Sequence, residues 1–392
     1  MSKLKFQKSP LWAIERKDLQ DLFDALMQKQ YRIMGPILDG AAIIYDEINS
    51  VQELPLGLID HQDGGTYRLE KTDSPTLFSY VLGPHSWKKY LFPPDKKLFD
   101  LKRHGHSFQV MSDNEKPPKR AIIGARPCEL SALEILDAIL LKGPYGDTYY
   151  KDARGKVFVV AVNCVRAGGT CFCVSMNTGP KAESGFDLAL TEVLQDGHHY
   201  FLVEEGSKEG KEILGHVHKV KATREMINAA ETALQDAAEN MGRSIETKDI
   251  KELLYRNFEN PYWEKIAERC LSCGNCTMVC PTCFCVDVKD YTDLSGENAQ
   301  RYRRWDSCFT LDHSYIYGGS IRTSAAARYR QWITHKLGYW VEQFGMSGCV
   351  GCGRCITWCP VGIDITREAA SIRQSSRIRV TESDEAVANG ES

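Results

Sequence analysis

Short, uninterrupted apolar runs bounded by turn-forming residues mark the first half of the chain: Ala41–Tyr45, Ala121–Gly124, Val157–Val162 and Tyr200–Val203. Runs of this length predict strands. Glu129–Leu141 has its apolar residues at helical spacing and predicts a helix. Thr223 is placed to cap a helix over Arg224–Met241 that ends at Gly242. Thr247 is placed to cap another, in which Ile250, Leu253, Leu254 and Phe258 share one face until Asn260-Pro261 stops it. The pattern predicts an α+β chain with a boundary near Gly242. A mixed α/β domain covers 1–242, a mainly helical domain covers 243–379, and a polar, acidic tail over 380–392 is expected to be disordered.

The longest apolar stretches, such as Ala121–Ala125 and Val157–Val162, fall far short of the roughly 20 residues that span a bilayer, so no membrane segment is expected. The opening M-S-K-L-K-F-Q-K-S-P has neither the apolar core of a secretory signal nor a twin-arginine pair, which predicts a cytoplasmic protein. A net charge of -3 provides no broad cationic surface and argues against a nucleic-acid-binding protein.

The fifteen cysteines change the picture. A reducing cytosol does not keep disulfides, so they point to metal or redox chemistry. Cys128, Cys164, Cys171 and Cys173 lie in the first half, and the other eleven crowd between Cys270 and Cys359. C-L-S-C-G-N-C-T-M-V-C-P sets Cys270, Cys273, Cys276 and Cys280 at the bacterial ferredoxin spacing, followed by Pro281. C-V-G-C-G-R-C-I-T-W-C-P repeats it with Cys349, Cys352, Cys355, Cys359 and Pro360. Gly274, Gly351 and Gly353 loosen the turns so that three thiolates can converge on one cube. In two-cluster ferredoxins the cysteine before the proline serves the other cluster. That analogy groups Cys270, Cys273, Cys276 and Cys359 for one [4Fe-4S] cluster, and Cys349, Cys352, Cys355 and Cys280 for a second. The long insertion 281–348 leaves open that each motif finds its own fourth ligand. Zinc is the bland alternative, but zinc ribbons use paired C-x2-C rather than four stepped cysteines with a terminal proline. His104, His106, His198, His199, His216 and His218 offer no matching partners and read as surface or turn residues.

Seven cysteines remain. Cys164, Cys171 and Cys173 lie in a glycine-containing loop after the Val157–Val162 strand, and Cys128 begins a helix whose N-terminus would favour its thiolate. Together these four make the set for a third [4Fe-4S] cluster, with buried structural thiols as the plain alternative. A rival grouping takes Cys283, Cys285 and Cys308 with one N-terminal thiol around an interdomain cluster. Arg301, Arg303, Arg304, Arg322, Arg328 and Arg330 interleave with Tyr302, Trp305, Tyr315, Tyr317, Tyr329 and Trp332. Single-strand nucleic-acid grooves use such mixtures, but beside ferredoxin motifs partner docking or compensation of cluster charge is the better reading, against a solvated helix face as the plain one. No G-x-G-x-x-G follows a strand and no P-loop occurs, so no NAD, flavin or phosphate site is expected here; nor is nickel, because the widely separated C-x-x-C pairs are missing. Wires without a substrate site suggest an electron-transfer subunit with no catalytic residues of its own.

Taken together, G-A-R-P-C-E-L, N-C-x6-C-F-C-V-S-M-N-T-G-P, C-L-S-C-G-N-C-T-M-V-C-P-T-C-F-C, R-W-D-S-C-F-T-L-D and C-V-G-C-G-R-C-I-T-W-C-P-V-G-I-D-I resemble the iron-sulfur β subunit of soluble group 3b [NiFe] hydrogenases, the sulfhydrogenases. The related iron-sulfur subunit of anaerobic sulfite reductase shares the two-cluster half. The hydrogenase resemblance implies a heterotetramer. A nickel-iron large subunit and a cluster-bearing small subunit would handle H2, a flavin subunit would handle NAD(P)H, and this chain would carry clusters beside them. Glu129 stands where the family often has aspartate, which keeps the charge.

Overall fold

The computed structural model describes residues 4–6, 10–81, 83–112 and 116–388, with side chains described as far as residue 376. The first half supplies β1 (Trp12–Glu15), β2 (Arg32–Asp39), β3 (Ala42–Glu47), a hairpin of β4 (Leu58–Asp63) and β5 (Thr66–Lys71), and a second hairpin of β6 (Asp95–His104) and β7 (Ser107–Ser112). It continues with β8 (Arg120–Ala125), β9 (Val157–Val162), β10 (Leu188–Gln195), β11 (His198–Glu205) and the short β12 (Val220–Lys221). Eight of these strands form one sheet in the order β12-β1-β11-β10-β9-β8-β2-β3.

The neighbours β2, β8, β9 and β10 run parallel at its centre. Parallel strands are covered on both faces, and the continuous apolar runs of β8 and β9 meet that demand, being buried along nearly their whole length. The helix Pro127–Leu140 lies in the crossover between them. Its Pro127 suits the first helical position, where no N–H is needed.

The chain then returns across the boundary expected near Gly242. Between the two cysteine motifs it forms β13 (Val286–Thr292) and β14 (Asn298–Trp305), and β14 pairs with β6 to give the sheet β13-β14-β6-β7. Asn298 lies against Lys102 and Arg304 against Asp95. The insertion therefore contributes strands as well as helices, including the small hairpin β15 (Tyr315–Ile316) and β16 (Gly319–Ser320). Ala325–Thr334 leads through a widened turn at His335–Tyr339 into Trp340–Phe344. A second apolar core around Trp263, Ile266, Phe309, Trp332 and Ile356 holds the cysteine motifs.

Several expectations change. Asp249, not Thr247, precedes the helix Ile250–Arg256, and Thr247 contributes only its carbonyl, to Ile250 N. That helix ends before Asn260, and Phe258 lies beyond it, over a third exposed beneath the Arg330 guanidinium. Thr223 caps its helix as expected, accepting from Met226 N, but the helix closes at Glu239. The tail expected to be disordered is helical as far as Ala388, within Ile365–Ala388, while 389–392 lie outside the described residues. His199 is buried rather than superficial, bonded through Nε2 to Glu192 Oε1 at 2.8 Å. The arginines of β14 are engaged within the chain. Arg301 pairs with Asp290 at 2.6 Å, Arg304 with Asp95 at 2.8 Å, and Arg303 binds Asp147 and stacks over Phe92.

Candidate functional site: three thiol quartets in a row

Cys270 follows the helix Tyr262–Ala267, its N–H donating back to Ile266 O at 3.1 Å. Ser272, held at φ +51°, then aims its own N–H at Cys270 Sγ, 3.4 Å away. Gly274 is left-handed and sits so close to Ser307 that an added Cβ would come within 2.8 Å of its hydroxyl. This is a turn that only glycine takes easily. Cys359 arrives from the second motif, its Sγ accepting from Ile363 N at 3.3 Å. Cys270, Cys273, Cys276 and Cys359 line one small cavity, walled by Phe309, Tyr329 and Trp332. Cys273 is the exposed member.

The second set gathers around Cys280. This buried thiol is an electrostatic neighbour of Cys349, Cys352 and Cys355. Lys336, itself buried, donates from Nζ to Cys280 Sγ at 3.2 Å and to Thr282 Oγ1 at 3.0 Å. Burial works against its charge, but the sulfurs of Cys280, Cys283 and Cys349 outweigh burial and hold the ammonium well above the usual lysine range. Lys88, buried too, donates to the carbonyl oxygens of Cys280 and Cys283 at 3.1 and 2.9 Å.

Cys128 and Cys164 stand just beyond the carboxyl ends of the adjacent parallel strands β8 and β9, the usual place for a ligand in an open α/β sheet. With Cys171 and Cys173 they line a small cavity that also meets Arg126, Arg166, Met241 and Arg354. Arg126 Nη2 is fixed by Phe78 O and Tyr80 O, and Arg166 Nη1 by Asp60 Oδ1. The helix N-terminus does not lower the Cys128 thiol as expected: burial, then the sulfurs of Cys352 and Cys173, push it well up. Burial likewise pushes Cys171 up to about 12.

These sets touch. Cys355 lines the first cavity and Cys352 lines the N-terminal one, so the second motif lies between the other two sets. Its loop presses on the C-F-C segment: Phe172 N donates to Gly351 O at 2.8 Å, and a Cβ on Gly353 would stand 2.4 Å from Thr170 O. The rival grouping of Cys283, Cys285 and Cys308 with an N-terminal thiol is not formed, because the four N-terminal thiols share their own cavity. Cys283 contacts Cys280, and Cys285 contacts Cys308 and His313. Sequence reasoning passed over Lys88, Lys336, Arg354 and His313. A lone lysine in the largely apolar and aromatic W-I-T-H-K-L-G-Y-W was the one signal for Lys336.

All fifteen cysteines are free thiols. Among the described residues, no three His, Cys, Asp or Glu side chains form a group suited to a single metal ion. Thiols at the corners of cavities, with N–H groups aimed at sulfur and cations alongside, suit a multi-atom iron-sulfur cluster.

Residues 269–363 match the 4Fe-4S dicluster domain family, which makes the chain an iron-sulfur protein. A curated relative, sulfhydrogenase 2 subunit beta of Pyrococcus furiosus, is 30% identical over 346 residues, spanning 88% of this chain and 92% of the relative. The chain belongs to the sulfhydrogenase β-subunit family. No solved structure matches it. Among the described residues no helix is long and apolar enough to cross a membrane.

Proposed function

We propose that the chain is the electron-transfer subunit of a cytoplasmic NAD(P)-linked [NiFe] hydrogenase complex, with no site of its own for H2 or NAD(P). The observation that carries this reading is the row of thiol quartets joined through Cys355 and Cys352. Cys270, Cys273, Cys276 and Cys359 would hold one [4Fe-4S] cluster, Cys349, Cys352, Cys355 and Cys280 a second, and Cys128, Cys164, Cys171 and Cys173 a third. Bound there, such clusters supply reversible one-electron chemistry. The protein's part is to fix the thiolates, shield them with Phe309, Tyr329 and Trp332, and balance their charge with Lys336, Lys88, Arg126 and Arg354. The exposed Cys273 suits exchange with a partner. The partners are a nickel-iron large subunit, a small subunit and a flavin subunit that binds NAD(P)H; nucleic acid and membrane are not among them.

Native purification tests this. The complex should contain nickel and flavin and reduce NAD(P)+ with H2, and the isolated chain should turn over neither. Recovery of siroheme and sulfite reduction without nickel would replace the hydrogenase with a sulfite reductase and leave the relay standing.

A further inference from the structure

Cys285 and Cys308 belong to none of the three quartets. They meet at the open end of the β13–β14 hairpin. Val286 pairs with Trp305, and Asp306 N donates to Cys285 O at 2.9 Å, which brings Cys308 back beside Cys285. The two thiols are near enough to interact, and the His313 ring stands beside Cys285 while its Nδ1 bonds Asp306 Oδ2 at 2.7 Å. The first and N-terminal quartets stand around cavities, whereas this pair meets directly. Both residues are half-buried, and Cys308 packs in the same apolar cluster as Cys270 and Cys276.

We propose that Cys285 and Cys308 form a redox-active dithiol–disulfide couple that reduces small-molecule disulfides. The roles are unequal. The His313 ring, anchored on Asp306, stands beside Cys285, and a histidine next to a thiol favours its thiolate. Cys285 is therefore the attacking thiolate and Cys308 the resolving thiol.

Cys285 sulfur attacks one sulfur of a disulfide RSSR, forming a mixed disulfide and releasing RS⁻. Cys308 then loses its proton to solvent, and its sulfur displaces the second RS⁻ from Cys285, closing the Cys285–Cys308 bond. Reopening takes two electrons and one proton and restores the thiolate and the thiol. The electron source rests on the relay reading above; the exchange itself does not.

The test uses the full-length, cluster-reconstituted protein, incubated anaerobically with oxidised glutathione, quenched with iodoacetamide and mapped by mass spectrometry. The expected result is release of glutathione and a Cys285–Cys308 disulfide, with iron content unchanged and the bond reopened by dithionite. Cys308→Ser should instead trap glutathione on Cys285 and keep its iron. Cys285 and Cys308 remaining separately alkylated would overturn the proposal. So would loss of about four irons in Cys308→Ser, which would make Cys308 a cluster ligand. The exchange is read by mass and the relay by its EPR signals, so the two readings fail separately.

Discussion

Arg354 and Glu129 form a buried ion pair, Nη2 to Oε1 at 2.8 Å with side chains 4% and 2% exposed, that ties the second cysteine motif to the helix bearing Cys128. The carboxylate also accepts from Tyr45 Oη at 2.8 Å and Arg126 N at 3.1 Å, and Arg354 Nε reaches Gly83 O at 3.1 Å. With so many partners satisfied, breaking one side should cost more than removing both. Glu129→Gln removes the carboxylate partner of a buried guanidinium and should lose about 3–5 kcal/mol in anaerobic denaturant unfolding. Combining it with Arg354→Met should recover most of that. Strictly additive losses would contradict this account.

Cys359→Ser should remove the cluster proposed for the first motif, and Cys280→Ser the cluster proposed for the second. Each substitution should lower iron by about four per chain, and EPR should show which signal is lost. If Cys359→Ser abolished the second signal instead, each motif would be serving itself.

Replacing Cys171 and Cys173 together with serine tests the N-terminal quartet. About four irons should be lost while both dicluster signals persist. Iron content unchanged would make these packed thiols.

Lys336 places a positive charge 3.2 Å from Cys280 Sγ. Coulomb attraction at an effective dielectric near 20 is worth a few kcal/mol at such range. Lys336→Met should therefore lower the potential of the neighbouring cluster by on the order of 100 mV in an EPR-monitored titration. No shift, with the cluster retained, would remove Lys336 from charge compensation.

Two glycines separate strain from contact. Gly345 and Gly353 have similar left-handed backbones, φ +68° and +72°, but open space faces Gly345 while Thr170 crowds Gly353. Gly345→Ala should cost about 1–2 kcal/mol, the left-handed penalty alone. Gly353→Ala should cost clearly more and impair cluster loading, both measurable by unfolding and iron analysis. Equal costs would show that the loop can yield.

The parts of this fold that announce themselves in sequence are those whose order is local. The apolar runs of β8 and β9 and the Thr223 cap are complete within a few residues. The cysteine spacing reveals which thiols can share a corner of a cluster. It does not reveal which strand end supplies the next, because Cys352 meets Cys128 and Cys173 only after the two halves interlock. Strands β6 and β7 escaped notice because neither has a well-buried face, β7 being exposed throughout, so no alternation marks them. Lys88 and Lys336 read as surface residues by type; only the sulfurs and carbonyl oxygens around them make their burial tolerable. The insertion's arginines invited a partner, but Arg304 and Arg303 take theirs from carboxylates far away in this chain's own sequence, Asp95 and Asp147.

The seam between β6 and β14 also has a consequence in time. Gln300 bonds Asp100 across a sequence separation of 200 residues. At ribosomal rates of about 5–20 residues per second, β6 emerges roughly 10–40 s before the strand that covers it. Through that interval the nascent chain carries an open sheet edge, and the N-terminal thiols wait without Cys352 and Arg354 beside them. Assembly of this protein is thus a late event in its synthesis, and iron delivered too early would meet only an unfinished cage.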